Sequence, residues 1–389
     1  MAPGNQMDPG NPRPQDDPKA PESAAAPDDP TPQDTRGTAE DTRTLDQVLP
    51  LVARGKVRDI YEIDSKTLLL VATDRISAFD VVLENDIPHK GDILNVIAAR
   101  WFWWLQGKVP SLRTHFVCVD LPDGIPEHLR PPLRHRSMVV KRMKVFPIEA
   151  IVRGYLAGSA WQEYKVHGTV NGLEMPAGMV ESQALPGGPI YTPSTKGAVG
   201  EKDVNLHPSQ VRDIIDQKYA EQIERIALNL YSTGSDEALK KKVILADTKF
   251  EFGLDEETDE VVLIDEIFTP DSSRFWPVET YKAGKPMPSF DKQYVRDWLI
   301  KNKLKGVKGV TLPEDVVKKT QEKYAQAFQF MLSMTPEEYF ASDLWEYSLG
   351  KSVPVDFNFP EDLRGSLAQP GAKNPPLPRG HPAANTREE

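Results

Sequence analysis

Asp247, Glu251, Asp265 and Glu266 place four carboxylates in one stretch of chain, with Lys249 inside it and Arg274 at its end. The stretch, residues 244–274, reads ILADTKFEFGLDEETDEVVLIDEIFTPDSSR. Hard oxygen donors hold Mg²⁺ while lysine and arginine hold phosphate, so the set suits a Mg²⁺-nucleotide site. A surface hairpin with solvated charges suits it equally, because charge runs are usually solvated faces. The delivery is informative: apolar runs at 243–246 and 261–264 each end in acidic residues, and a polar turn at 255–260 separates them. That pattern predicts a β-hairpin whose strand ends bring the carboxylates to one place.

Three other segments offer anion-binding groups. Gly55-Lys56-Val57-Arg58 lies among strand-like runs and lacks the spacing of a Walker A loop or a dinucleotide fingerprint. It provides a glycine at which backbone can approach a ligand, with Lys56 and Arg58 as donors, as in the glycine loop of protein kinases. A tight turn with surface cations reads the same. In Arg153-Gly154-Tyr155-Leu156-Ala157-Gly158-Ser159 an arginine leaves a strand and Ser159 is expected to N-cap a helix. A helix N-terminus with a bidentate arginine beside it binds phosphate, and an ordinary capped helix with a surface ion pair is the alternative. Thr192-Pro193-Ser194-Thr195-Lys196 gathers hydroxyls and an ammonium inside a Gly/Pro-rich region, 166–206, expected as a long loop.

The elements that must position these groups are sheet-rich first and helical last. Strands are expected at 49–52, 60–63, 67–72, 78–83 and 137–144, and again up to Arg153. Helical spacing of Ile93, Ile97, Trp101 and Leu105 predicts a helix over 92–106, in which the Trp101–Trp104 cluster reads as core. Further helices are expected at 208–232, stopped by Gly234, and at 290–303 and 313–332. The class is α+β.

Composition narrows the remainder. Of the net charge of −11, the segment 1–45 carries −5 (nine acidic residues against four basic), leaving −6 on the other residues, which argues against broad nucleic-acid binding. The single cysteine, Cys118, excludes a disulfide framework and a cysteine zinc site, and its apolar flanks predict a buried structural thiol. No run is long and apolar enough to span a bilayer, and the N-terminus has neither a secretory signal nor a transit-peptide composition, so a cytoplasmic protein is expected. Residues 1–44 lack Leu, Ile, Val and aromatics and are expected to be disordered, as is most of 351–389; the folded body is expected at 45–350.

Taken together the segments identify a family. Gly55-Lys56-Val57-Arg58-Asp59-Ile60-Tyr61, Ala72-Thr73-Asp74-Arg75-Ile76-Ser77, Ile151-Val152-Arg153-Gly154-Tyr155 with Gly158-Ser159-Ala160-Trp161, Thr192-Pro193-Ser194-Thr195-Lys196, Ala246-Asp247-Thr248-Lys249-Phe250-Glu251, and Asp265-Glu266 through Arg274 occur in this order. Over 48–330 the chain resembles the SAICAR synthetases (phosphoribosylaminoimidazole-succinocarboxamide synthases) of the longer fungal type. The resemblance implies that 45–350 is a catalytic domain of kinase-related ATP-binding fold, with an antiparallel sheet lobe (about 45–145) and a mixed α/β lobe (about 146–350) around a cleft. It implies ATP-dependent joining of L-aspartate to the carboxylate of 5-amino-1-(5-phospho-β-D-ribosyl)imidazole-4-carboxylate, with ADP and phosphate released and an acyl phosphate as the leading intermediate. By motif, Gly55, Lys56 and Arg58 would lie over the ATP phosphates, and Lys141–Met143 would line the adenine pocket with Glu149 near the cleft. Glu251 and Asp265 would hold Mg²⁺ or the nucleotide ribose, Asp265 as principal metal ligand. Arg153, Ser159, Asp247, Lys249 and Arg274 would hold the ribotide; Lys56, Asp247, Lys249 and Arg274 form the catalytic set. Asp74, Arg75 and Ser77, together with Ser194, Thr195 and Lys196, would bind aspartate or close the site.

Two positions depart from the family pattern. Lys202 stands where histidine is common, and lysine cannot replace a near-neutral proton carrier without a large pKa drop. His89 stands where glycine is usual, which restricts φ. A kinase of related fold would need His-Arg-Asp and Asp-Phe-Gly motifs, and neither occurs. A catalytically dead nucleotide-binding protein is disfavoured by the intact Arg153, Glu251, Asp265 and Arg274. The expected partners are the small-molecule substrates alone, with no nucleic acid and no membrane, and the sequence leaves monomer or homo-oligomer open.

Overall fold

A computed structural model of the chain describes residues 41–197, 203–290, 292–342 and 344–345. The first half contains α1 (Leu45–Val48), β1 (Leu51–Arg54), β2 (Arg58–Glu62), β3 (Thr67–Ala72), β4 (Arg75–Ala78), β5 (Val81–Asp86), α2 (Lys90–Lys108), β6 (Phe116–Cys118), α3 (Arg130–Leu133) and β7 (Ser137–Lys141). Then come β8 (Lys144–Arg153), α4 (Gly158–His167), β9 (Thr169–Val170), β10 (Leu173–Glu174), β11 (Ile190–Tyr191), β12 (Ser194–Thr195) and α5 (Gln217–Lys240). The chain continues with β13 (Val243–Asp255), β14 (Glu260–Ile264), β15 (Ser273–Pro277), α6 (Gln293–Lys301), α7 (Glu314–Leu332) and α8 (Pro336–Phe340).

Two antiparallel sheets carry the architecture. One has the order β1-β2-β3-β7-β6; the other runs β11-β8-β13-β14, with β12 also on β8 and β15 also on β13. Residues 142–143 join β7 of the first sheet to β8 of the second. A second stitch lies alongside: the His115 N–H donates to Leu263 O (3.0 Å), and the Lys141 N–H donates to His115 O (2.7 Å). Helix α5 covers one face of the second sheet, where Ile223, Ala227 and Leu230 join Ile148, Ala150, Val152, Phe250 and Phe252 in one core. Helix α2 lies between the first sheet and α7 and is buried nearly all round, which accounts for its lack of an amphipathic pattern. Trp101 and Phe102 are buried and Trp103 and Trp104 partly so, as a core reading requires. Among the described residues no helix is long and apolar enough to cross a membrane.

The α+β class holds, and several local expectations are corrected. The strand expected at 78–83 is a hairpin of β4 and β5 turning at Phe79 and Asp80, both with positive φ. The helix expected to begin at 208 is a 3₁₀ turn (Pro208–Asp213) followed by α5. Gly234 does not stop that helix: it lies inside α5, and a Cβ there would come within 2.3 Å of the Phe268 ring. Asp247 and Glu251 are not at a strand end but inside β13, which runs on to Asp255. Region 166–206 contains short strands as well as loop. Ser159 is not the N-cap of α4; that position is Ala157. Cys118 is half-buried and not fully so, at the end of β6 where its pairing with β7 is irregular. His89 adopts φ 63° as the N-cap of α2, the conformation in which glycine is unstrained. Lys202 lies outside the described residues, as do 1–40 and 346–389.

Candidate active site

Along β13 the side chains alternate. Thr248, Phe250 and Phe252 are buried, the two phenylalanines in the core against α5, while Asp247, Lys249 and Glu251 share the other face. The neighbour strand β8 alternates in step. Asp247 is paired with Arg153, Lys249 with Ile151 and Glu251 with Glu149, so Arg153 and Glu149 fall on the same face. On the other flank β15 pairs Arg274 with Asp247. Strand β12 adds Ser194 opposite Glu149. Sheet register alone therefore arranges three acids, two arginines, a lysine and a hydroxyl into a graded surface.

At one end Asp247 accepts from both arginines, from Arg153 Nη1 at 2.8 Å and Arg274 Nη1 at 2.5 Å. Arg153 also donates to Thr192 Oγ1 (3.1 Å) and Ser159 Oγ (3.2 Å). Burial pulls the Arg153 guanidinium below its ordinary pKa and Arg274 adds to this, with Asp247 opposing; an arginine so shifted is still charged. Two guanidinium groups converging on one carboxylate bring a cluster of charged donors to this end, which suits an anionic ligand. Gly158 makes room for Arg274, since a Cβ there would lie 2.5 Å from the guanidinium. A cavity of about 550 Å³ opens beside Arg274, lined also by Gly158, Trp276, Ser289 and Gln293.

In the middle Lys249 Nζ donates to Glu149 Oε1 and Glu251 Oε1, each at 2.8 Å, and Ser194 Oγ donates to Glu149 Oε2 at 3.1 Å. Burial pulls the Lys249 ammonium down, but Glu251, Glu149 and Asp265 outweigh it and hold the pKa well above the usual value. Lys249 is thus a fixed cation, not a proton carrier. At the far end Lys196 donates to Glu251 Oε2, and Arg58 of the first sheet donates to Asp265 Oδ1 with Glu266 3.5 Å away. Burial raises Glu251, yet Lys249 and Lys196 prevail and hold it at about 2. Asp265 directly follows Ile264, the residue paired with Glu251, and both carboxylates act on the Arg58 guanidinium and the Lys249 ammonium.

The SAICAR synthetase family profile matches residues 51–312. The chain is 50% identical over 279 residues to the phosphoribosylaminoimidazole-succinocarboxamide synthase of Saccharomyces cerevisiae, covering 69% of this chain and 90% of that relative. The chain belongs to the SAICAR synthetase family. The Schizosaccharomyces pombe synthase is likewise 50% identical, over 267 residues, 68% of this chain and 87% of the relative. The solved SAICAR synthase from Saccharomyces cerevisiae, complexed with SAICAR, superposes with a TM-score of 0.67 at 47% identity over 76% of this chain and 98% of that one. Like other SAICAR synthetases, the chain is an ATP-dependent ligase of purine biosynthesis that joins L-aspartate to the imidazole ribotide carboxylate.

The SAICAR synthetase fold brings most of the sequence-selected residues into this one surface: Arg58, Arg153, Ser159, Ser194, Lys196, Asp247, Lys249, Glu251, Asp265 and Arg274. Lys56 is exposed and paired with Asp80 at 2.6 Å. Gly55 turns tightly, its N–H donating to Arg58 O at 2.7 Å. Lys141 is exposed and Met143 half-buried, and Gly253 lets Met143 approach β13, where a Cβ would lie 2.7 Å from the methionine's own Cβ. Thr195 accepts from the Val204 N–H at 3.0 Å. Asp74 accepts from the Gly91 N–H (2.8 Å) and pairs with Arg136; Arg75 binds Asp59 (2.6 Å) and the Gly55 carbonyl (3.0 Å). Ser77 sits half-buried in β4. Sequence reading passed over Lys90, Asp271 and Lys292, a buried cluster behind the surface, because lone charges in separate segments carry no periodic signal.

Proposed function

We propose that the graded surface runs from a ribotide end at Arg153, Ser159 and Arg274 to a nucleotide end at Arg58, Glu251 and Asp265, with phosphoryl transfer between them at Lys249. The supporting observation is the position of Lys249, a permanent cation between the two ends. A carboxylate does not react with an amine at neutral pH, so the ribotide carboxylate must first acquire a better leaving group. Its oxygen attacks the γ-phosphorus of ATP, ADP leaves, and an acyl phosphate results. The aspartate amine then attacks the acyl carbon and expels inorganic phosphate, losing a proton as the amide forms. Lys249 and Arg58 offset the charge on the transferring group, a role of positioning and electrostatics with no side-chain nucleophile. Gly55 and Lys56 cover the phosphates, and Lys141 and Met143, at the joint of the two sheets, line the adenine. The two sheets are then the two lobes of the cleft.

The donor chemistry accommodates Mg²⁺. Among the described residues no three His, Cys, Asp or Glu side chains gather as a self-sufficient metal cage. Mg²⁺ needs only one or two carboxylates when substrate phosphates complete its shell. Glu251 and Asp265 would hold it, and bound there it neutralises phosphate charge. Because Asp74 and Arg75 are tied to α2 and the glycine loop, Ser194, Thr195 and Lys196 are the better aspartate contacts, with Asp74, Arg75 and Ser77 fixing the loop above.

Phosphate release from ATP is expected only when both the ribotide and L-aspartate are present. Release driven by a sugar or protein hydroxyl would favour a kinase instead. With ribotide labelled by ¹⁸O in its carboxylate, one labelled oxygen should appear in the released phosphate; unlabelled phosphate would exclude the acyl phosphate.

A further inference from the structure

Between β14 and β15 runs a loop, residues 265–272, that begins with Asp265 and leads through Ser273 into Arg274. Asp265 (φ 67°) and Phe268 (φ 51°) stand there in the left-handed region. A bulky residue persists in that region only where its surroundings over-determine the backbone. Phe268 is pinned by Trp101 and Phe250, at 4.8 and 5.5 Å between ring centroids, which fixes the middle of the loop.

Its end is fixed by Asp271. The Asp271 side chain is 1% exposed, and its Oδ2 lies 2.9 Å from Lys90 Nζ and 2.8 Å from Lys292 Nζ. Its Oδ1 accepts from the Tyr324 hydroxyl at 2.5 Å. The partners come from three helices: Lys90 opens α2, Lys292 is the N-cap of α6, and Tyr324 lies within α7. Lys90 is fully buried at the positive end of a helix, where a cation needs a counter-charge. Asp271 is also tied back within the loop: its N–H donates to Thr269 Oγ1 (3.2 Å), and the Thr269 hydroxyl donates to Glu266 (2.6 Å). Nothing in the proposed chemistry uses Asp271, yet it is the point at which three helices grip the segment carrying Asp265 and Arg274.

We propose that Asp271 is a positioning residue of the ligase: by clamping the loop to α2, α6 and α7 it sets the register in which Asp265 faces nucleotide and Arg274 faces ribotide. This rests on the roles given to Asp265 and Arg274 above. Buried ion clusters of this kind can select one geometry without adding much stability.

The test uses the full chain with Asp271→Asn, which keeps the side-chain shape and leaves two buried ammonium groups without a counter-charge. Assayed well below its own melting midpoint, the variant is expected to lose at least about tenfold in kcat and to raise the ribotide KM several-fold, since sub-ångström misplacement is costly in a positioned reaction. Adding Lys292→Met returns the cluster to its original net charge but not to a three-helix clamp. Melting temperature should then recover while KM and kcat stay altered. Wild-type kinetics in Asp271→Asn, or recovery of kinetics together with stability in the double variant, overturns the proposal. Should Asp271→Asn not fold, Tyr324→Phe keeps the ring and removes the hydroxyl that donates to Asp271 Oδ1; its melting temperature should fall as the loss of a buried hydrogen bond to a carboxylate requires while its ribotide KM rises about threefold, and an unchanged KM overturns the proposal. Direct ribotide binding to Arg274→Met separates the layers: full binding there defeats the reading of the ribotide end itself, whereas lost binding there beside normal kinetics in Asp271→Asn defeats only the clamp.

Discussion

Lys249 shows how a residue's neighbours choose its chemistry. A lysine in an apolar pocket loses its proton and becomes a base; here Glu149, Glu251 and Asp265 reverse that tendency and keep it an ammonium. The acidic partners are equally committed. Glu251, at about 2, is ionised throughout the working range, so it is a counter-charge to Lys249 and Lys196 and fits the proposed ligand role, not that of a general acid. Its folded pKa lies below the ordinary 4.5, so ionisation stabilises the fold above that value, and the contribution is lost as pH falls from about 4.5 towards about 2. Urea unfolding across this window should show stability dropping with acid in the wild type. Glu251→Gln should be less stable at pH 7 and show a shallower slope in the same window; an unchanged slope would mean that Glu251 is not paired. Asp265 is a separate matter, because it is paired to Arg58 from the other sheet and not to a lysine on its own. Asp265→Asn is expected to lower kcat by at least about a hundredfold, with the fold intact by circular dichroism. In the same variant the Mg²⁺ dependence of ADP binding, measured by calorimetry, should disappear. Near-normal turnover would remove Asp265 from the metal site.

At the scale of elements the site is a product of register. Period-two alternation of Asp247, Lys249 and Glu251 against Thr248, Phe250 and Phe252 was present in the sequence, yet the acidic residues read more readily as ends of short strands, since charge usually marks where a strand stops. The strand continues because β8 and β15 supply arginines opposite Asp247, so the charges are paired in place and need no turn to reach water. Motif order picked out most of the residues that register gathers on the β13 surface, and hydrophobic spacing made α2 and α7 legible to within two residues. The role of Gly234 was not legible. Glycine near a helix end is a common stop signal, and only the three-dimensional approach of Phe268 explains a glycine inside α5. Gly234→Ala tests this. Alanine gains about 1 kcal/mol in helix propensity, but its methyl would meet the Phe268 ring, and overpacking costs about 1–3 kcal/mol. A net loss of about 1 kcal/mol in urea unfolding is expected, with a raised ribotide KM, because Phe268 holds the loop that leads to Arg274. A gain in stability would show that the ring yields freely.

For the whole molecule the question is where the functional unit begins. The family match starts at residue 51, but the packed structure starts earlier. Leu45, Val48 and Leu49 lie against Tyr61, Leu69, Val71, Ile125 and Leu133, on the side of the first sheet facing away from α2. Asp46 accepts from the Tyr61 hydroxyl at 2.7 Å and from Arg54 at 3.2 Å, tying α1 to β1 and β2. Those strands flank the Gly55 turn and carry Arg58, so α1 supports the proposed nucleotide end from behind. Two truncations should therefore behave differently. Removing 1–41 leaves every one of these contacts in place, and kcat is expected to stay within about threefold, a change below 1 kcal/mol in barrier. Removing 1–50 strips three half-buried apolar side chains, both Asp46 contacts and the hydrogen bonds that Pro50 O and Arg43 O make to Glu62 and His128, a destabilisation of about 2–4 kcal/mol by urea unfolding. With the strands that hold Arg58 loosened, the KM for ATP should rise more than that for the ribotide, whose proposed contacts lie on the second sheet. Equal behaviour of the two truncations, or a collapse of activity on removing 1–41, would move the boundary of the functional unit away from α1.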